Sequence, residues 1–207
     1  MARRTKEEAE QTRQALLETA LRLFSERGIG QTSLKDIAAE TGVTHGALYW
    51  HFKNRGDLVR ALYERSRLPL DDLHLEQLQA ARQDGLSALA DFLQHWCRLL
   101  MKDPEVSRIW RVFHCGPRNL PELAALNDAI TAEHEEWLER IRLFVKKARK
   151  QGQLPPKAKG KKDTLPANLL VLVFGLIESQ QVAPQLIDGK LATKQVIRNY
   201  LLGLQAA

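Results

Sequence analysis

Between Ser33 and Arg55 the side chains able to do chemistry include Ser33, Thr44, His45, Tyr49, Trp50, His51, Lys53 and Arg55, with Gly46 and Ala47 set among them. They are hydroxyls, imidazoles, aromatic hydrogen-bonders and cations beside two very small residues. This mixture suits close approach to DNA, where phosphate contacts position a protein and base edges specify it. His45 can reach a base edge or a phosphate. Gly46 and Ala47 leave room for the groove wall, and Ala47 can meet a thymine methyl. Tyr49, Trp50, His51 and Lys53 read as phosphate clamps. The start of the helix at Arg55 adds backbone N–H donors. His51 has a second reading, as a holder of the junction between two helices. The arm Arg3-Arg4-x-Lys6 either enters a minor groove or stays disordered.

Two short helices must position these groups. Ser33 caps the first, with Asp36 three residues on forming a capping-box-like pair. Leu34, Ile37 and Ala38 give it one apolar face. Gly42 supplies the turn, because glycine accepts the positive φ that ends a helix sharply. Val43 plugs back into the core. Thr44 caps the second helix, over about 45–51, and Leu48 and Phe52 hold it down. A longer helix over 6–27 precedes them, with Leu17, Ala20, Leu21 and Phe24 on one side and Gly28 as its stop. A fourth helix runs over about 55–67 through Leu58, Ala61 and Leu62, until Pro69 disturbs it.

Residues 9–69 resemble the DNA-binding domain of the TetR family of bacterial transcription regulators. Gly42-Val43-Thr44 and Tyr49-x-His51-Phe52 sit at that family's spacing. The opening Ala2-Arg3-Arg4-Thr5-Lys6 and the run Gly46 to Phe52 look like the AcrR-type repressors of drug-efflux pumps. His45 stands where many relatives carry Arg, Arg55 where Lys is usual, and Gly56 where an acid is common. The resemblance implies a binding mode, and these departures bear on which operator is read.

The remainder is helical by pattern. Segments at about 73–81, 84–102, 105–115, 121–151, 165–183 and 191–205 are separated by Pro104, Gly116-Pro117, the Gly152 to Pro156 stop, a lysine-rich loop to Lys162, and Pro184 with Asp188-Gly189. The expected fold is all-α: an N-terminal three-helix helix-turn-helix domain, then a helical domain over 70–207, about nine helices in all. One seven-residue helix reads too few bases for useful specificity, so two copies must read a palindromic operator about a two-fold axis. Leu169, Leu172, Val173 and Leu176, with Val196, Tyr200 and Leu204, are the expected dimer contacts. The 165–183 helix is apolar nearly all round, as a helix buried on two sides would be.

The resemblance further implies a small-molecule inducer bound inside the body. Trp96, Leu100, Trp110, Phe113, Trp137 and Phe174 are its expected apolar lining, with His114 and Glu178 as polar groups. Each aromatic also has the plainer reading of ordinary core. Glu178 follows Gly175-Leu176-Ile177 on a greasy helix, where a charge needs a partner or water. The alternative is a regulator of the same fold, or an architectural factor, with no small ligand and under control of a protein partner.

Charge narrows the classes. The chain carries a net +6 over 207 residues, spread unevenly. Residues 1–67 hold 12 basic and 9 acidic side chains, residues 146–162 hold 8 basic and none acidic, and the rest is net acidic. No opening apolar run resembles a signal peptide, and Leu165 to Ile177 is too short and too Pro/Gly-marked to span a bilayer. A cytoplasmic protein with no membrane partner is expected. Cys97 and Cys115 are then buried thiols and not a bridge. Glu133-His134-Glu135-Glu136 reads as a solvated charged turn, because Leu138 stands at i+4 from His134 and denies a metal its second strong ligand. No nucleophile elbow, phosphate loop or dinucleotide glycine pattern occurs, so no enzyme, metal or cofactor is expected.

Overall fold

The computed structural model describes residues 5–65, 77–115, 119–157, 159–183 and 191–205. In chain order the helices are α1 (Lys6–Arg27), α2 (Leu34–Thr41), α3 (His45–His51), α4 (Arg55–Arg65), α5 (Gly85–Lys102), α6 (Pro104–Phe113), α7 (Pro121–Ala124), α8 (Asn127–Lys150), α9 (Leu165–Val182) and α10 (Leu191–Gln205). Residues 77–80 add one helical turn, and no strand occurs among the described residues. Arg3, Arg4, the Gly116-Pro117 stop, Pro184 and Asp188-Gly189 lie outside the described residues, as do residues 73–76 of the segment expected at 73–81.

Side chains close the helix starts. Thr5 Oγ1 accepts from the Glu8 N–H at 3.2 Å, and the Thr5 N–H donates to the Glu8 carboxylate at 2.9 Å, so α1 opens on a capping box. Asp84 caps α5 by accepting from the Ser87 N–H and hydroxyl at 2.9 and 2.8 Å, which holds its carboxyl below the usual range. The segment expected as one helix over 121–151 is two. The Leu126 N–H turns back to the Leu123 carbonyl at 2.9 Å, and α8 restarts at Asn127 with Asp128 in its first turn, favourable against the helix dipole.

The chain divides into two compact units. The first holds residues 1–68 and 105–130, so α6 and α7 join the four N-terminal helices. Leu16, Leu17 and Leu23 of α1, Ile37 of α2, Leu48 of α3, and Leu58 and Val59 of α4 have no exposed surface. Arg22 ties α1 to Glu40 of α2 at 2.6 Å, and the Arg13 guanidinium lies over the Phe52 ring, 5.4 Å from its centroid. Tyr63 meets the Phe113 ring edge-on at 5.2 Å, and Trp110 stacks on His114 at 4.9 Å.

The second unit holds residues 69–104 and 131–207. Its centre is a run of rings: Phe92 stacks on Phe144 at 5.0 Å, Trp96 meets Trp137 edge-on at 5.3 Å, and His134 and Trp137 both touch Phe174. Leu100 is buried beside them on α5. Helix α9 has 18 residues with mean hydropathy 1.3, so by length and composition it could cross a membrane, contrary to the shorter run read from sequence. Leu165, Leu169, Val173, Leu176 and Ile177 are nevertheless buried within this chain. Leu169, Val173 and Leu176, expected as dimer contacts, therefore pack into the chain's own core. The apolar side chains that α9 and α10 leave outward are Val171 (69 % exposed), Val182 (72 %), Val196 (38 %) and Leu202 (49 %), with Leu172, Tyr200 and Leu204 half-buried.

Three further expectations change. Cys97 is buried, which pushes its thiol up to about 12, but Cys115 is exposed. Glu133 is buried, and His134 packs 4.9 Å from Trp137, so only Glu135 and Glu136 form a solvated face. Glu178 is exposed, so its charge is met by water rather than by an interior partner.

The loop after α8 is held by Arg149, which donates to the Pro155 carbonyl at 3.0 Å and grips both oxygens of Asp163. That grip holds the Asp163 carboxyl below its usual range. A carboxyl lowered by folding adds stability above its unfolded value, and the contribution is lost as pH falls through the lower folded value. Asp163→Asn is expected to cost about 1 kcal/mol at pH 7 and progressively less below about pH 4. Urea denaturation of both proteins across that range checks it.

Candidate nucleic-acid interface

Helix α3 is short, and its hold on the first unit comes from two residues on one side. Leu48 is fully buried and Phe52 nearly so. Thr44, in an extended conformation (φ −71°, ψ 152°), accepts the Ala47 N–H at 3.2 Å and closes the helix start. The preceding turn is as the glycine demands: Gly42 lies at φ 74°, ψ 24°, and the Val43 N–H returns to the Ala38 carbonyl at 3.0 Å. Val43 and Ala47 are half-buried.

With Leu48 and Phe52 turned inward, Thr44, His45, Gly46, Tyr49 and Trp50 stand outward together. Tyr49 is 47 % exposed and Trp50 74 %, large apolar areas for a monomer surface to leave in water. His45 meets Tyr49 edge-on at 4.7 Å, and Trp50 meets His51 edge-on at 4.6 Å, so the four rings are pre-arranged in pairs. His51 is half-buried, with Phe52 6.3 Å away, which leaves both its readings in place.

Beside this face lies a groove of about 1000 Å³, bounded by His45 and Tyr49 of α3, Ser33 and Lys35 of α2, Lys53, and Arg60 of α4. Lys35 and Arg60 were not singled out from sequence. Their signal is weak there, since isolated cations on helices are ordinary; only the fold brings them beside Lys53. Ser33 is occupied in its own cap: it accepts the Asp36 N–H at 3.2 Å and its hydroxyl donates to the Asp36 carboxylate at 2.6 Å. Those bonds lower the Asp36 carboxyl. At the start of α4, Asn54 Oδ1 accepts the Asp57 N–H at 2.8 Å. The Lys53 N–H is given to Asp57 at 3.1 Å, but its ammonium remains exposed.

The Arg55 side chain is held by neighbours within the first unit. Its guanidinium holds Glu122 of α7 at 2.6 and 2.7 Å and donates to the carbonyls of Ile29 and Thr32 at 3.2 and 3.4 Å. The side chain is committed to internal partners, so only the backbone near it is left for an anion. The expected ligand residues fall in both units. Trp110, Phe113 and His114 lie in the first unit, while Trp96, Leu100, Trp137, Phe174 and Glu178 lie in the second.

A capped helix with a small, polar and aromatic outer face, flanked by cations, can enter a duplex groove and clamp its phosphates. Comparison with known proteins agrees with that chemistry. The family profile of the bacterial regulatory proteins of the tetR family matches residues 16–62. The HTH-type transcriptional regulator AcrR of Shigella flexneri is 33 % identical over 194 residues, covering 92 % of this chain and 87 % of that protein. The crystal structure of NalD, the secondary repressor of the MexAB-OprM multidrug efflux pump in Pseudomonas aeruginosa, superposes with a TM-score of 0.77 at 28 % identity, covering 96 % of this chain and 98 % of NalD. The SmeT–triclosan complex, whose protein represses the SmeDEF multidrug efflux pump of Stenotrophomonas maltophilia, gives a TM-score of 0.65 at 26 % identity, over 93 % of this chain and 90 % of that one. The chain belongs to the TetR family of bacterial regulatory proteins and is a DNA-binding transcription regulator, not an enzyme.

Proposed function

We propose that the protein is a cytoplasmic, homodimeric repressor of a multidrug efflux operon, released from a palindromic operator by a small hydrophobic ligand. Residues 9–69 are the DNA-binding domain, and 70–207 bind the ligand and the second copy. The observation that carries the DNA-reading part is the outer face of α3, with Thr44, His45, Gly46, Tyr49 and Trp50 held outward by a buried Leu48. NalD and SmeT are repressors of multidrug efflux pumps, which supports the regulated operon.

Glycines support the dimer. Gly175 of α9 and Gly203 of α10 are exposed in the single chain, and a Cβ at either would touch nothing within 4 Å. A glycine inside a helix costs roughly 0.5–1 kcal/mol relative to alanine, so its place there asks for a close neighbour. A second copy lying across α9 and α10 supplies one. Reading successive major grooves requires such a dimer to hold its two recognition helices about 34–36 Å apart or somewhat more.

The ligand reading rests on the ring cluster of the second unit. The indole N–H of Trp96 is fully buried with no acceptor, an arrangement that costs stability unless something is bound there. Glu133 is buried one helical turn before Trp137, whereas Glu178 is exposed. Release follows if the ligand prefers the conformer whose recognition helices no longer match the operator. Ring-on-ring packing of Trp96, Trp137 and Phe174 favours the second reading, control by a protein partner without a small ligand.

Sedimentation and mobility-shift assays with inverted repeats from the protein's own promoter test the proposal. A mass of two chains, operator binding, and its release by hydrophobic cations and not by a partner protein are expected. A single-chain mass, or indifference to every inverted repeat at low salt, overturns it. Lys53→Ala is expected to weaken binding to all sequences alike and to lower the slope of log K against log salt by about 0.9 per half-site. Titration between low and physiological salt checks this.

A further inference from the structure

The second unit carries a groove of about 900 Å³ that neither DNA reading nor the ring cluster uses. One wall is the C-terminal end of α8, with Lys146 and Lys150. The other is the turn Leu154–Pro156 with Lys157 and, from α10, Leu204. The groove is built rather than incidental. Arg149 pins the Pro155 carbonyl and Asp163, fixing both ends of the loop, and the Gln205 amide donates to the Gln153 carbonyl at 3.3 Å, tying α10 to the turn. Gln153 in turn donates to Asp84 at 2.8 Å and accepts the Leu86 N–H at 3.0 Å.

Charge within it is unbalanced. Among the described residues Asp163 is the sole acid lining it, and Arg149 already holds that carboxylate. Arg142 is paired with Glu139. Lys146, Lys150 and Lys157 therefore face the groove with no carboxylate of the lining left to meet them. The helix dipole explains only part of this, because the end of α8 carries the equivalent of about half a negative charge, and Lys147 and Arg149 stand in the same last turn. The floor is apolar and stiff. Leu154 is buried, Leu204 half-buried, and the two prolines have no N–H to offer an anion.

We propose that this groove binds an amphipathic organic anion, its carboxylate or sulfate held by Lys146, Lys150 and Lys157 and its hydrocarbon laid on the Leu154–Pro156 turn and Leu204. Three ammonium groups around an apolar strip select against cations and against small hydrophilic anions alike.

Amine acetylation followed by mass spectrometry locates the site in the full-length dimer. Decanoate is expected to slow acetylation of Lys146, Lys150 and Lys157 at least fivefold and to leave Lys35 and Lys53 unchanged. Lys146→Gln combined with Lys150→Gln is expected to remove the protection of Lys157 while circular dichroism and operator binding stay as in the parent. Equal protection by decyltrimethylammonium overturns the charge selection, and equal protection by inorganic phosphate overturns the apolar strip. Stronger protection by non-operator duplex than by decanoate makes the groove a nucleic-acid contact and overturns the proposal, as does no protection at all.

Discussion

Gly46→Leu is expected to lower operator affinity at least a hundredfold while leaving the free protein as stable as the parent or slightly more so. Nothing in the free chain asks for glycine at this position. A Cβ there would have no atom within 4 Å, and the backbone φ is not positive. Helix propensity argues against the residue, since leucine in an exposed helical position is favoured over glycine by roughly 0.5–1 kcal/mol. A residue that costs local stability and fills no space is explained by what approaches it. Gly46 lies on the outward face of α3 with His45 and Trp50, where a groove wall would press closest. A leucine would hold that wall off by the length of its side chain and break neighbouring phosphate contacts together, so the loss exceeds that of one contact. A hundredfold loss corresponds to about 2.7 kcal/mol. Fluorescence anisotropy with a labelled operator, beside thermal unfolding of the free protein, separates the two effects. Binding within threefold of the parent would mean that another surface enters the groove.

The parts of this interface legible in sequence were those set by near neighbours. Ser33 with Asp36, Gly42, and Thr44 with Ala47 interact over three or four positions, so residue type and spacing carry the whole geometry. The inward pair Leu48 and Phe52 follows from the helical period in the same way. The internal partners of the Arg55 side chain, Glu122, Ile29 and Thr32, stand 67, 26 and 23 positions away, and no local pattern announces them. Helix α9 failed for a different reason. Its apolar residues go nearly all round, so period alone cannot say which side faces the chain's own core. Leu169, Val173 and Leu176, expected as dimer contacts, are buried within the chain itself, and Glu178, expected as a ligand group, is exposed. Glu133 reversed its expected place too, because a run of charges around it masks the helical face shared with Ile130 and Trp137.

The same bookkeeping of space around glycines gives the opposite expectation at Gly85. A Cβ built there would lie 2.6 Å from the Ala148 nitrogen and 2.9 Å from its Cα, with Gln151 Oε1 at 2.8 Å. The glutamine can swing away, but it would then surrender its bond from the Gly85 N–H at 2.7 Å and its hold on the Ala81 and Arg82 carbonyls at 3.2 Å. The backbone of α8 cannot swing at all, so the first turn of α5 must move outward. That movement would open the contact between two helices whose rings, Phe92 and Phe144, stack further along. Overpacking of this kind typically costs about 1–3 kcal/mol, and the lost hydrogen bonds place Gly85→Ala near the upper end, about 3 kcal/mol. For a chain of this length the melting temperature would fall by roughly 6–12 °C. Gly46→Ala, with open space around it, serves as the control and is expected to raise the melting temperature slightly. A loss under 1 kcal/mol at Gly85 in urea denaturation would show that α5 and α8 do not approach so closely at this point. Because Ala148 precedes the turn that carries the cationic groove, Gly85→Ala is also expected to weaken decanoate protection of Lys150 while leaving Lys53 and the reading face of α3 as they are.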